Sequence, residues 1–511
     1  MDRTEAPGNQ PTLEDSEHFA VVRRFLDQVG YSEPAVCARL GLTRLHELSA
    51  RRTEPLPLIS EEFKDTLDAL IKVFLSGTLA HAEQLRPFLS SPVWQCMNAL
   101  GLLCAAASNP DVYYSPVSLF PIDRLYFVSD RRRNLDGTRV IMTRDFVFPA
   151  FHHLTHEFLE LLPSTPCERL LDLCSGTGIA ALQAANRFAK QSWAVEINAR
   201  AVHFANFNRL LNQVTNITVL RGSVYEPVKG MRFERIITHP PYAPSLQVRR
   251  PLYADGGEDG EEVTRAIVQG LPEFLEPGGR FYCMTMGMDK KDEPFESRVR
   301  QWLGADNSAY DVMFIVSKVR GPLQYSFDAT RNANGSWEDM EAWRTYLEKL
   351  KVQRLAFGLL MIQHNEGRRH QFTVRRSKGE HCSNAEVEWL RQWKSVSAGG
   401  TVAEVLLSAH PRLAANVTLH VDHIRKDNQL VPSTFTFRTS QPFSVEYDCP
   451  SWAATLVNHC DGNNTARDLF EIGKRDGWLP LETDIEAFVD TLTNLVSLAI
   501  LEIEGYPPPH A

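Results

Sequence analysis

The stretch Leu170-Leu171-Asp172-Leu173-Cys174-Ser175-Gly176-Thr177-Gly178-Ile179-Ala180 constrains the fold of this chain more than any other. A short apolar run bounded by a small-residue turn reads as a buried strand that delivers the chain into a helix. Glycines in such a turn let a ligand press against backbone, and the helix start presents unpaired N–H groups. The turn is also compatible with a plain tight connection, so its meaning depends on the residues downstream.

Downstream, apolar strands alternate with helical segments, the pattern of a parallel sheet with crossover helices on both faces. Strands are predicted at Arg169–Leu173, Ser192–Ile197, Ile217–Arg221, Arg235–Thr238, Arg280–Met286, Val312–Ser317 and Leu355–Ile362, with a helix over Ala199–Leu211. The expected fold class is α/β, a seven-stranded Rossmann-like sheet.

With 511 residues the chain exceeds one ordinary core, so two or three domains are expected. Residues 1–110 read as a helical N-terminal domain, with Phe19, Val22, Phe25, Leu26 and Val29 at three- and four-residue intervals. Residues 111–150 carry the β-type runs 117–120, 125–128 and 139–142, separated by turn residues such as Asn134-Leu135-Asp136-Gly137, and read as a β-hairpin bridge. The α/β domain spans 151–370, opening with a helix from about Pro149 to Leu162. A C-terminal accessory domain, 371–511, resumes pattern over Thr401–Ala409, Ala415–Val421 and Ser433–Thr439. Its last block, Trp452 to Ile503, reads helix, Asp461-Gly462 turn, helix, helix and strand, so the domain is expected to be winged-helix-like from about 441.

The second predicted strand of the sheet ends at Glu196-Ile197-Asn198, placing Glu196 eighteen residues after Gly178. An acidic tip at that distance can accept ribose hydroxyl protons, whereas Asn198 is the better N-cap for the helix after it. A dinucleotide dehydrogenase would share both features. The fourth strand separates the two classes, because it ends in His239-Pro240-Pro241-Tyr242, which has no place in a hydride-transfer site. Two prolines fix φ and donate no backbone hydrogen bond, so they hold a strand end rigid and direct carbonyls into a cleft. Tyr242 offers a flat face, and His239 can accept or donate a proton.

Together these pieces resemble the release-factor glutamine methyltransferases, the HemK/PrmC group within the small-domain family of class I S-adenosylmethionine (SAM)-dependent methyltransferases, and their multidomain relatives. The resemblance runs from about Val112 to Thr285. It rests on Asp172-Leu-Cys-Ser-Gly-Thr-Gly178, Glu196-Ile-Asn-Ala-Arg-Ala-Val202, Arg221-Gly-Ser-Val-Tyr-Glu-Pro-Val228, the His239 tetrapeptide, Tyr253-Ala-Asp-Gly-Gly-Glu-Asp-Gly260 and Leu275-Glu-Pro-Gly-Gly279. It implies SAM as cofactor, bound by Asp172, Cys174, Ser175, Gly176, Thr177, Gly178, Glu196, Ile197, Ser223 and His239, with His239, Pro240 and Tyr242 at the acceptor.

The family motif is Asn-Pro-Pro-Tyr, with the Asn taking amide protons of a planar nitrogen. Here His239 stands in its place, and an imidazole can either bind one N–H or serve as general base. Ser223 stands where the family often carries an acidic residue for the adenine amino group, and Arg144 falls near a segment that closes over the cofactor. The implied function is N-methylation of a protein or peptide. Two alternatives are a small-molecule N- or O-methyltransferase with His239 as base, and a non-catalytic SAM-binding interaction protein. The block around Trp452, Thr465 and Leu469 is similar to winged-helix peptide-recognition modules of the PqqD type.

Composition narrows the partners. A net charge of −9 offers no broad cationic field, so nucleic acid is not favoured; Arg131, Arg132 and Arg133 read as a solvated turn. No apolar run reaches the roughly 20 residues of a spanning helix, and no membrane partner is expected. Nine cysteines without a CxxC pair read as reduced thiols, and the cytoplasm is the expected location. No metal is expected: Asp255 to Glu262 lacks calcium-loop spacing and reads as charge at a helix start, and His152, His153 and His156 lack a further ligand cluster.

Overall fold

The computed structural model describes residues 10–13, 16–50, 62–134, 138, 140–246, 250–333, 335–365 and 370–504. The chain divides into two compact units. The first comprises 1–159, 164–276 and 283–285, and the second 160–163, 277–282 and 286–511.

In the first unit, strand β1 (Cys167–Leu173) leads into helix α1 (Ile179–Arg187). Strand β2 (Ala189–Glu196), helix α2 (Ala199–Leu211), strand β3 (Ile217–Arg221) and strand β4 (Phe233–Thr238) come next, and helix α3 (Glu262–Phe274) comes later. The strands are parallel in the order β3-β2-β1-β4, with Leu171 opposite both Trp193 and Ile236. β1 and β4 are almost continuously buried, as strands covered on both faces must be.

The N-terminal helix Ser16–Val29 forms where the apolar stripe predicts it, and helices Glu33–Leu40 and Ser91–Ala99 follow. Phe19 packs edge-on against Phe207 of α2 at 4.9 Å, so these helices share one apolar core with the sheet. The helical reading up to Ser108 needs correction, because Ala80–His81, Cys104–Ala106 and Asn109–Tyr114 form a small antiparallel sheet. The alanines of 105–107 suit a helix, but Pro110 cannot continue one, and the chain turns back as a hairpin instead.

Strands Val117–Ile122 and Leu125–Asp130 pair antiparallel. The third β-type run is not a strand at its described residues, Val140 to Met142; Arg139 and the turn residues 135–137 lie outside the described residues. The helix expected from Pro149 begins at His153.

Arg131 does not sit on a solvated turn. It is buried, and its guanidinium donates to the carbonyls of Val73, Phe74 and Val117, each at 3.3 Å. Burial pushes its pKa down to about 10. The first two carbonyls belong to the last turn of a helix, where a cation is favoured.

Strand β5 (Leu275–Lys290) carries the chain into the second unit. There β6 (Tyr310–Arg320), β7 (Val352–His364), β8 (Thr373–Lys378), β9 (Val417–Lys426), β10 (Gln429–Thr439) and β11 (Phe443–Cys449) join it in the order β5-β7-β6-β8-β11-β10-β9. The sheet is mixed: β6 is antiparallel to β7 and parallel to β8. All seven predicted strands exist, but β8 and its neighbours extend the sheet past β6. The segment 401–409 folds as a helix, Val402–Ser408. Helices Ser451–Leu456, Ala466–Asp476 and Ile485–Ser497 and the short strand Leu501–Glu502 follow β11. Among the described residues no helix is long and apolar enough to cross a membrane.

Candidate active site

The site lies where β1, β2 and β4 end. Cys174, Gly176 and Gly178 all take positive φ, at 56°, 55° and 77°, so the chain coils tightly between β1 and α1. Gly178 caps α1 without a side chain, and Asp172 takes over that task from the strand: its Oδ2 accepts the Ala181 N–H at 3.2 Å. Burial, with Glu196 nearby, raises the Asp172 carboxyl well above the usual carboxylate range.

Glu196 ties the turn to β2. Its Oε2 accepts the Gly176 N–H and its Oε1 the Asn198 N–H, both at 2.9 Å. Burial raises its pKa as well. Asn198 caps α2 through Arg200 N–H and donates to the Asp145 carbonyl at 2.9 Å, linking the strand end to the segment before His153. Ile197, beside Glu196, exposes 55% of its surface, so an apolar face stands open next to the turn. Ser223 is exposed one residue after Gly222, whose N–H donates to the Glu196 carbonyl at 3.1 Å.

The donor set fits a SAM-type cofactor on three observations. Ser175 Oγ is buried without a hydrogen-bond partner. A Cβ built on Gly176 would meet nothing within 4 Å, so the turn has open space on that side. Ile197 supplies an exposed apolar surface, and Glu196 keeps lone pairs beyond the two already engaged.

At the end of β4, Thr238 is tied to β1 by its hydroxyl, which donates to the Leu173 carbonyl at 2.8 Å. His239 then stacks parallel to Tyr242, with ring centroids 5.9 Å apart, and lies 5.6 Å from Phe158. This apolar setting pushes the His239 pKa down to about 4. At neutral pH the ring is uncharged, with one nitrogen able to accept a hydrogen bond.

Several residues that hold the site escape sequence reasoning. The Gly256 N–H donates to the Ala243 carbonyl at 3.0 Å, and Ala243 N–H to the Ala254 carbonyl at 3.2 Å. A Cβ on Gly260 would lie 2.6 Å from the Tyr242 carbonyl oxygen, so the glycine-rich loop packs directly on the tetrapeptide backbone. Asn208 Nδ2 donates to the Thr177 carbonyl at 3.0 Å. Arg200 forms a buried two-armed ion pair with Asp130. Only the glycine-rich run left a signal in the sequence. Among the described residues, no three His, Cys, Asp or Glu side chains gather as metal ligands.

Comparisons with known proteins bear on this geometry. Residues 150–302 match the model of the methyltransferase small domain. The chain is 33% identical over 165 residues to the ribosomal protein uL3 glutamine methyltransferase of Bradyrhizobium diazoefficiens, covering 30% of this chain and 52% of that protein. It is 31% identical over 147 residues to the release factor glutamine methyltransferase of Thermodesulfovibrio yellowstonii, covering 26% of this chain and 53% of that one. The chain thus spans about half the length of the curated relatives it matches. Residues 150–302, similar to the methyltransferase small domain, thus hold the turn, the acidic strand end and the Pro-Pro-Tyr segment on adjacent strands of an α/β sheet.

Proposed function

We propose that this chain is a SAM-dependent methyltransferase acting on a nitrogen of a protein or peptide. The observation that carries the reading is the juxtaposition of β1 with β4: the open turn at Gly176 and the His239–Tyr242 stack end neighbouring strands, as a donor and an acceptor site must. Bound SAM would supply a methyl group already activated on a sulfonium. Ser175, Gly176, Glu196 and Ile197 would bind it, with Asp172 and Asn198 keeping those groups in place.

On the acceptor side, Pro240 and Pro241 hold the strand end rigid, and Tyr242 and His239 flank a planar group. An imidazole held neutral down to about pH 4 is a hydrogen-bond acceptor for an N–H and a weak base at neutral pH. That favours positioning of a nitrogen over deprotonation of a hydroxyl. The two curated relatives are glutamine methyltransferases of proteins, which supports a protein acceptor. We place within the same reading a Rossmann-like methyltransferase sheet of seven strands over 151–370, a substrate-covering role for 1–110, a hairpin bridge at 111–150, and a winged-helix-like accessory domain that brings the acceptor. A cytoplasmic setting completes it.

The test is calorimetry of the full chain with SAM, then incubation of a cell lysate with tritiated SAM. Binding, and label in protein or peptide, is the expected result. No SAM binding overturns the reading; label confined to small molecules overturns the acceptor.

A further inference from the structure

One carboxylate joins three separate stretches of the first unit. Asp130, buried at the end of strand Leu125–Asp130, accepts the Val147 N–H at 2.7 Å, and its own N–H donates to the Val147 carbonyl at 3.2 Å. Its two oxygens also take the two arms of the Arg200 guanidinium, itself buried at the second residue of α2. The Arg200 N–H donates to the Asn198 side chain at 3.0 Å, and that side chain donates to the Asp145 carbonyl at 2.9 Å. Asp130, Arg200, Asn198 and the stretch 145–147 thus close a ring of hydrogen bonds beside Glu196, whose Oε1 accepts the Asn198 N–H.

The same stretch reaches the tetrapeptide. The Arg144 carbonyl accepts the Leu252 N–H at 2.8 Å, and the Phe148 ring lies 4.7 Å from that of Tyr253. Two residues beyond Leu252, the Ala254 carbonyl accepts the Ala243 N–H directly after Tyr242. β2, which ends at Glu196, and β4, which leads into His239, are not neighbours, because β1 lies between them. Residues 144–148 therefore form a strap across the end of β1, pinned by Asp130 and Asn198 on one side and by Leu252 and Tyr253 on the other.

A buried ion pair adds little net stability over apolar side chains of the same volume, since both charges must leave water. What a two-armed guanidinium–carboxylate contact does fix is orientation. We propose that Asp130 and Arg200 are positioning residues for methyl transfer: their ion pair anchors the strap, and the strap holds the Tyr242 loop in register with the cofactor turn. This rests on the methyltransferase reading and adds to it two residues assigned to neither SAM nor the acceptor. A misplacement of about 1 Å between reacting groups costs about 100-fold in rate, so a loosened strap slows transfer while the Glu196 clasp keeps its hydrogen bonds.

Two variants of the full chain cut the strap at opposite ends. Asp130→Asn keeps an oxygen for the Val147 N–H and loses the two-armed pair. Leu252→Pro removes the N–H that reaches Arg144; it opens the short turn Leu252–Ala254, where proline is tolerated, and leaves no charge unpaired. The measurements are calorimetry with S-adenosylhomocysteine, hydrogen exchange with and without it, and labelling of a cell lysate at saturating tritiated SAM. In the wild type, S-adenosylhomocysteine should slow exchange at the Gly176 N–H and also at the Ala243 and Gly256 N–H groups. In both variants the slowing at Ala243 and Gly256 should vanish while that at Gly176 remains, with affinity for S-adenosylhomocysteine within about threefold of wild type. Labelling should fall about tenfold or more.

A pair that merely stabilises the fold would weaken S-adenosylhomocysteine binding in step with the rate, and that result overturns the inference. So does a wild type in which S-adenosylhomocysteine leaves exchange at Ala243 and Gly256 unchanged, or a folded variant that keeps both the slowing and the rate. If Asp130→Asn does not fold, Leu252→Pro decides. A wild type that binds neither SAM nor S-adenosylhomocysteine overturns the methyltransferase reading itself.

Discussion

Glu196 Oε2 accepts the Gly176 N–H at 2.9 Å while its other oxygen accepts the Asn198 N–H at the same distance, so one carboxylate fixes both the turn after β1 and the start of α2. The side chain proposed for the ribose is thus also the clasp that shapes the turn after β1.

Glu196→Gln should therefore be far from silent. The amide must turn its NH2 toward one of two N–H donors, leaving that donor unsatisfied at about 1–3 kcal/mol. SAM affinity should fall about tenfold or more by calorimetry, and hydrogen exchange at Gly176 and Thr177 should quicken. Wild-type affinity with unchanged exchange would refute the double role.

Asp172 leads to the opposite expectation for stability. Its carboxyl is buried and its pKa raised, so folding favours the protonated form. A raised folded-state pKa means that this group's contribution is fully present below the unfolded carboxylate value of about 3.9, and is lost as pH rises through the folded value. Asp172→Asn keeps an oxygen for the Ala181 N–H and removes the charge. The variant should be at least as stable as the wild type at neutral pH. Its urea midpoint should also lose part of the decline that the wild type shows as pH rises from the carboxylate range. A variant markedly less stable at neutral pH would show that the charge itself is needed.

In the proposed reaction His239 should leave methyl transfer insensitive to its own titration near neutral pH. Its pKa falls from the ordinary value of 6.5 to about 4, so the ring stays neutral through the physiological range. In stability the sign is that of a depressed group: its contribution is present above the unfolded value and lost as pH falls from 6.5 toward about 4. The rate should show no limb from His239 between about pH 6 and 8, and His239→Asn should retain far more activity than His239→Ala. A limb near the ordinary imidazole value that disappears in the Asn variant would instead make His239 a base.

The features legible in the sequence are local ones. The strand, turn and helix from Leu170 to Ala180, the acid at the end of β2 and the Pro-Pro-Tyr segment each declare themselves within a dozen residues, because backbone geometry there depends on glycine and proline. Arg131 is illegible because what buries it, the Val73 and Phe74 carbonyls, lies more than fifty residues upstream. The same holds for the Val128 backbone, whose N–H and C=O are both satisfied by the Asn208 side chain from α2. The small antiparallel sheet is hidden for a different reason: alanine-rich edge strands carry no β signal, and only pairing partners reveal them. Gly256 and Gly260 are visible as part of a run, but their purpose emerges only with the Tyr242 backbone beside them.

That contact supports the sharpest prediction. Gly260 has φ of 73°, and an added Cβ would stand 2.6 Å from the Tyr242 carbonyl oxygen and 3.0 Å from Pro244 N. Backbone cannot yield as a side-chain tip would, and the left-handed conformation adds about 1–2 kcal/mol of its own for a non-glycine residue. Gly260→Ala should displace the tetrapeptide while leaving the turn at Gly176, which it does not touch. SAM binding should stay near the wild-type value while the transfer rate drops by about tenfold or more. Gly477→Ala, with φ of 79° at a helix end and nothing within 4 Å of the added Cβ, controls for the backbone penalty alone. It should lower stability with no effect on rate. Equal rates in the two variants would mean that the glycine-rich loop does not position Tyr242.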